Sequence, residues 1–382
     1  MKPLIPYFDY NATTPMNAEV LEAMLPFFSD HFGNAASTLH EYGKQAAYAV
    51  NSARASIARL INCTPEEIIF TSGATESLNL ALRGLAETYS NKTPHIITVA
   101  TEHKAVLDTC HSLSKTGIRY TVLPVNKDGS LDLQLLEDAI EPSTIAIAVM
   151  YANNETGLIH PVSAVGKIAK KHNVLFICDA TQAVGKISVD VLRDDIDCMA
   201  FSAHKLYGPK GCGALYVRRK NPRVKLVEQI TGGGHERNLR SGTLNVPGIV
   251  GFGKAAELST KQLSTDDNAI LQLRNLFESE LCRQTGATVN GSSLHRLPNT
   301  SNLCFHLPNG ISFINDLSKL MAVSSGSACT TAKPEGSHVL KAMGLGDADI
   351  KSSVRFSFGR LTTKSEVVNA IDMICETVKK HR

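Results

Sequence analysis

Lys205 stands in the run Ser202-Ala203-His204-Lys205-Leu206-Tyr207-Gly208-Pro209-Lys210-Gly211, where a short β-rich stretch breaks into glycines and an open sheet would present side chains to a ligand crevice. A lysine in that place forms a Schiff base with a carbonyl compound once its ammonium is shifted toward neutrality, although most lysines are simply solvated. Upstream, Phe176-Ile177-Cys178-Asp179-Ala180-Thr181-Gln182 closes a buried-looking strand with a carboxylate. Such a group suits a helix N-cap, and it equally suits a partner that keeps a pyridine nitrogen protonated. The run Phe70-Thr71-Ser72-Gly73-Ala74-Thr75-Glu76-Ser77 reads as strand, small-residue turn and helix start. Free backbone amides there favour an anion such as phosphate, and the absence of GxxxxGK[ST] excludes a P-loop. His103, in Thr101-Glu102-His103-Lys104, follows a strand and either opens a helix or stacks on an aromatic ligand and moves protons.

A second nucleophile lies far downstream. Residues 323–337, with Cys329 near the centre of Ser325-Gly326-Ser327-Ala328-Cys329-Thr330-Thr331, show neither helical nor strand period. They predict a mobile polar loop, an unusual home for a residue type that is normally buried. An exposed thiol can remain an ordinary surface group, or as a thiolate attack the sulfur of a bound cysteine and retain it as a persulfide. Arg355, in Ser353-Val354-Arg355-Phe356-Ser357, is either a surface residue or a guanidinium fork for a substrate carboxylate.

These groups need a sheet to hold them. Between about residues 60 and 220, short β-rich runs alternate with helical patterns, which predicts a parallel sheet covered by helices. Seven strands are expected, at 68–70, 95–100, 120–125, 144–152, 175–179, 198–202 and 214–218. Several are apolar throughout, as strands buried on both faces should be. Apolar steps of three and four predict a helix over 44–61, and Pro161 with terminal lysines predicts another over 161–172. After about residue 255 the pattern changes to a long helix over 266–284, shorter strands, and a final helix over 364–380. The expectation is an α/β protein with a large domain over 15–255 and a smaller α+β domain made of 1–14 and 256–382, which carries the Cys329 loop. Phosphate turn, ring partner, aspartate and lysine then fall at the ends of successive strands, where the crevice of such a sheet lies.

At 382 residues the chain exceeds one ordinary core. With 43% hydrophobic and 20% charged residues it is a globular composition. Its 39 basic and 36 acidic residues are mixed along the chain, leaving a formal charge of +3 and no basic patch for nucleic acid. The longest apolar run, 145–152, is too short for a bilayer, and Met1 to Tyr10 has neither signal-peptide nor transit-peptide character. Nine scattered cysteines exclude a zinc ribbon and a disulfide framework, which predicts a reducing, cytoplasmic setting and no resident metal.

Over nearly its whole length the sequence resembles the NifS/IscS-type cysteine desulfurases, fold-type I pyridoxal phosphate enzymes of the class V aminotransferase group. The resemblance rests on the segments already quoted and on Asp9-Tyr10-Asn11-Ala12-Thr13-Thr14-Pro15, Gly33-Asn34-Ala35-Ala36-Ser37, Asn153-Asn154-Glu155, Gly232-Gly233-Gly234-His235-Glu236 and Arg240-Ser241-Gly242-Thr243. It implies pyridoxal 5'-phosphate carried by Lys205, Asp179 on the pyridine nitrogen, His103 stacked on the ring and Gln182 near the ring hydroxyl. It implies that Ala74, Thr75, Ser202 and His204 hold the phosphate, with Thr243 reaching it from the second subunit of a homodimer. Asn154 and Arg355 would bind the carboxylate of L-cysteine, and Cys329 would pass sulfur to acceptor proteins of iron-sulfur cluster assembly or tRNA thiolation. Ala203 and Ala35 depart from the glycine and proline common in that family. A selenocysteine lyase, a class V aminotransferase and a non-catalytic sulfur-carrier scaffold are the alternatives.

Overall fold

The computed structural model describes residues 5–325 and 336–382. Its main sheet has seven strands: β1 (Ile68–Thr71), β2 (His95–Val99), β3 (Arg119–Leu123), β4 (Thr144–Ala148), β5 (Leu175–Asp179), β6 (Cys198–Ser202) and β7 (Gly213–Val217), in the order β1-β7-β6-β5-β4-β2-β3. Pairings from β3 through β6 are parallel, and β7 runs antiparallel to both its neighbours. The strand order reverses beside β2, because the chain goes outward to β3 and returns to β4 on the other side.

Successive side chains of a strand point to opposite faces, and here both faces are covered. Phe176 and Cys178 of β5 enter one core cluster, with Ile147 of β4 and Phe201 of β6, while Ile177, Ala146 and Ala200 enter the other. That is why these strands read as unbroken apolar runs. The first cluster packs under α1 (Glu41–Leu60), and the second under α2 (Ala74–Thr88) and α3 (Lys104–Ser114). Helix α4 (Val162–Lys171) lies on the face of α1.

The next long helix, α5 (Val246–Thr285), is 40 residues long and begins twenty residues before the start expected from the sequence. Asn245 caps it by accepting from the Gly248 amide, and Pro247 occupies its first turn. Glycines at 248, 251 and 253 weaken the helical signal of this stretch. Packing explains one of them: a Cβ at Gly253 would lie 2.5 Å from the Ala53 Cα of α1. Strand β4 stops at Ala148 rather than at 152, although Val149 and Tyr151 still donate to the Ile177 and Asp179 carbonyls of the β5 edge.

A second, antiparallel sheet has the order β10-β9-β8, from β8 (Thr288–Val289), β9 (Thr300–Cys304) and β10 (Ser353–Ser357). It is covered by the end of α5 and by α6 (Gly310–Leu320) and α9 (Lys364–His381), with two short helices between, α7 (His338–Ala342) and α8 (Asp347–Lys351). Phe277, Phe313, Phe356 and Phe358 centre this core, and Phe8 of the N-terminal segment joins it. The Phe8 amide donates to Ala322, and its carbonyl accepts from Ser357.

Arg54 stands among the apolar positions of α1 because Glu236 meets it. The pair is bidentate at 2.6 and 2.8 Å, Glu236 also accepts from the Phe70 amide, and Arg54 donates to the Ile68 carbonyl. With side chains only 7% and 2% exposed, loss of one partner strands a buried charge. Glu236→Ala should therefore lower unfolding stability by about 3–5 kcal/mol, read from urea denaturation, while the Arg54→Met/Glu236→Leu double variant recovers much of that loss.

Candidate active site

The carboxyl ends of β1, β2, β4, β5 and β6 share one edge of the main sheet, and a cleft of about 600 Å³ opens there. Its walls carry Ala74, Thr75, His103, Asn154, Asp179, Gln182, Ser202, His204, Lys205 and Arg355. Thr243 is exposed and is not among the residues lining this cleft. Cys329 lies outside the described residues, although Ser324, five positions before it, lines the cleft.

Lys205 closes a 3-10 turn immediately after β6. Its ammonium donates to the Asn11 and Ala12 carbonyls at 2.5 and 2.6 Å. Beside it, His204 bonds through Nδ1 to Thr13 Oγ1 at 3.1 Å. Burial, and then the charges of Lys205, Lys210 and Lys186, push His204 down to about 4, so its imidazole is neutral at neutral pH. This end of the cleft is electropositive, and the first turn of α2 faces it. Among the described residues no side chain caps that helix at Gly73, which favours an anion at its amides and dipole. Close approach of β7 keeps the turn in place: a Cβ at Gly213 would lie 2.5 Å from the Gly73 Cα.

At the other end Asp179, 7% exposed, accepts from the Thr181 amide at 2.9 Å. The Thr181 hydroxyl is buried and has no hydrogen-bond partner among the described residues. His103 caps α3, and its Nδ1 accepts from the Ala105 amide at 3.1 Å, which leaves Nε2 to carry the proton of a neutral ring. Arg355, 6% exposed, donates to Asp9 at 2.6 Å and to the Asn154 carbonyl at 3.0 Å, and its buried Nε has no partner among the described residues. The donor set fits a phosphorylated, nitrogen-containing aromatic aldehyde: anion cradle, lysine and carboxylate in order, with an arginine beside them.

Three participants carry no motif that sequence reasoning had read as functional. Asn11 links both sheets: its amide nitrogen donates to Thr300 and the Asn154 carbonyl, and its oxygen accepts from Lys186 and Asn299. Lys186 also donates to Gln182, whose amide is in turn bonded to the Asn11 carbonyl. Burial, with the charges of Lys205 and Arg355, holds the Lys186 ammonium well below the usual lysine range. Glu102 is fully buried and accepts from the Met150 amide. Burial and the Asp179 charge raise it well above the ordinary carboxylate range. The only sequence signals were the 9–15 segment and the Glu102-His103 neighbourhood.

Glu155 accepts from the Ser337 hydroxyl that also caps α7. Burial pushes it from 4.5 up to about 7, against the pull of Ser337 and Arg355. A carboxyl raised on folding contributes stability that is complete below its unfolded value and is lost as pH rises through its folded one. Glu155→Gln should therefore flatten the decline of wild-type stability between pH 4.5 and 7. The expected difference is on the order of 2 kcal/mol, measured by denaturant titration across that window.

Comparison with known proteins places the chain. The aminotransferase class-V family model matches residues 6–369. A cysteine desulfurase IscS of Anaeromyxobacter sp. (strain Fw109-5) is 50% identical over 98% of this chain and 93% of its own length. The cysteine desulfurase IscS of Neisseria meningitidis serogroup C is 48% identical over the same shares. Among solved structures, a NifS-like protein superposes with a TM-score of 0.92 at 38% identity, covering 99% of this chain and 100% of that one. SspA in complex with cysteine gives 0.83 at 37% identity, over 94% and 100%.

Proposed function

This chain belongs to the aminotransferase class-V family, and from that premise we propose a cysteine desulfurase that removes sulfur from L-cysteine, releases L-alanine and keeps the sulfur as a persulfide on Cys329. The observation that carries the reading is the meeting of Lys205, Asp179, His103 and Arg355 on one cleft, in a chain 46–50% identical to cysteine desulfurases over 98% of its length.

Lys205 would hold pyridoxal phosphate through its aldehyde carbon, and Asp179 would keep the ring nitrogen protonated. Ala74, Thr75, Ser202 and His204, at the electropositive end, would receive the phosphate, and His103 would cover the ring. When bound, that cofactor withdraws electrons from the substrate's carbons and so loosens the bond to sulfur. Asn154 and Arg355 hold the substrate carboxylate; Arg355 offers a fork suited to it and exchanges its Asp9 contact for the substrate. The Lys205 amine would move the proton at the substrate Cα. His103 Nε2 is the nearby imidazole position for a second transfer. The Cys329 thiolate forms the new S–S bond, the substrate's carbon–sulfur bond breaks, and its electron pair stays with the carbon skeleton, which takes up protons to leave as alanine. Cysteine and one thiol become alanine and one persulfide, with no outside oxidant.

Sulfur then passes to acceptor proteins of cluster assembly or tRNA thiolation. The eight described cysteines are all unpaired, which supports a reducing, cytoplasmic setting. Among the described residues no helix is long and apolar enough to cross a membrane. Homodimerisation, with Thr243 reaching the partner's phosphate, is supported by the exposure of Thr243 and by exposed Phe28, Phe32, Tyr42 and Tyr48. The two-domain division, 15–255 against 1–14 with 256–382, is supported by the two separate sheets and by Phe8 in the second core.

The test is direct. Purified protein loaded with pyridoxal phosphate, given L-cysteine and dithiothreitol, should yield alanine and sulfide in equal amounts; protein that binds the cofactor yet forms no alanine would sink the reading.

A further inference from the structure

Away from the cleft, where β9 ends and β8 and β10 begin beside α8, three ligating side chains converge. Cys304 closes β9, His306 follows two residues later in a left-handed backbone conformation (φ 50°), and Asp349 comes from α8. Cys304 Sγ lies 3.4 Å from His306 Nδ1 and 3.5 Å from Asp349 Oδ1, and those two atoms are 3.0 Å apart. None of the three lines the cleft.

From these distances we propose that Cys304, His306 and Asp349 form a binding site for a zinc-like divalent cation. Zn–S, Zn–N and Zn–O bonds of about 2.3, 2.0–2.1 and 2.0–2.2 Å at tetrahedral angles set ligand atoms about 3.3–3.6 Å apart. The two sulfur edges match, and the nitrogen–oxygen edge needs to open by only a few tenths of an ångström. The donor set is mixed thiolate, imidazole and carboxylate, which favours zinc over magnesium or calcium.

The surroundings supply what such a site needs. Thr288 Oγ1 bonds to His306 Nε2 at 2.8 Å, the outer partner that aims the opposite nitrogen at a metal. Ser352 Oγ stands 3.5 Å from Cys304 Sγ and can donate to a thiolate. The sulfur is buried while the imidazole and carboxylate side chains are 46% and 45% exposed, so a cation can enter from the solvent side and keep a water as its fourth ligand. Binding exchanges the thiol proton for the metal and releases that proton to solvent. Sequence spacing conceals the site, because Asp349 is 45 residues from Cys304.

Cobalt(II) reports on it. The pyridoxal phosphate-loaded Cys329→Ser protein, which removes the loop thiol, should bind one Co²⁺ with the intense red-visible bands of four-coordinate cobalt, and Zn²⁺ should displace it. His306→Asn and Asp349→Asn, both at half-exposed side chains, should each weaken cobalt binding by about 100-fold or more, and Thr288→Val by about 10-fold. Cys304→Ala should abolish the bands. Zn²⁺ should raise the thermal midpoint of the parent but not of His306→Asn. Cobalt spectra and affinity unchanged in both Asn variants overturn the proposal, whatever the Cys304→Ala protein does.

Discussion

Lys205→Ala, reconstituted with pyridoxal phosphate, should form alanine from L-cysteine at least about 10³-fold more slowly than wild type, since both the covalent hold on the cofactor and a proton-transfer group are lost. The residue sits on a 3-10 turn pinned between β6 and the Asn11–Ala12 carbonyls, so its amine is delivered to one point. Lys186 offers a second amine, with an ammonium held low by burial and by Lys205 itself, but it does not line the cleft, and its bonds to Gln182 and Asn11 hold it in place. Residual activity traceable to Lys186 would vanish in a Lys186→Met/Lys205→Ala double variant. Borohydride should fix the cofactor on the peptide that contains Lys205 in wild type and on no peptide in the variant. Alanine formed at the wild-type rate by Lys205→Ala would remove the proposed chemistry.

Cys329→Ser should have an effect of the same order on desulfuration and almost none on the cofactor. Ser324 lines the cleft and exchanges backbone hydrogen bonds with Arg355 at 2.7 and 3.2 Å. Cys329 follows it by five residues, a length that extends at most about 18 Å, so the thiol is within chain reach of the substrate site. A serine hydroxyl at that position cannot accept sulfur as a thiolate does. Alanine production should fall by about 10³-fold or more while cofactor absorbance and cysteine binding stay unchanged. An aminotransferase would keep its transamination in this variant, a selenocysteine lyase would keep releasing selenium from selenocysteine, and a non-catalytic carrier would show no alanine even before the substitution. Wild-type desulfuration by Cys329→Ser would exclude the thiol as the sulfur acceptor.

The seven strands of the main sheet were legible because each is a short β-rich run bounded by turn residues, and those buried on both faces, such as β2, β4 and β6, leave an unbroken apolar imprint irrespective of their partners. The start of the 246–285 helix was not, because Gly251 and Gly253 lie against Met24 and Ala53, a close approach that exists only once α5 packs against α1 and the chain around Met24. Arg54 read as one position in an amphipathic stripe; what satisfies it is Glu236, 182 residues away. Lys205, Asp179, His103 and the 72–75 turn could be named because each follows its own strand, so local pattern located them at strand ends.

The sequence by itself determined residue chemistry and local geometry: an amine, a carboxylate, an imidazole and an uncapped helix start, each beyond a strand whose period is written in adjacent residues. Only the tertiary structure decided the strand order β1-β7-β6-β5-β4-β2-β3 that brings those ends to one cleft, the bonds by which Asn11 and Lys186 brace Gln182 on its wall, and the burial beside Asp179 that raises the Glu102 carboxyl. Hydrogen bonds and electrostatics fall off over a few ångströms in space and take no account of separation along the chain, so such groups acquire their roles only after the sheets have formed.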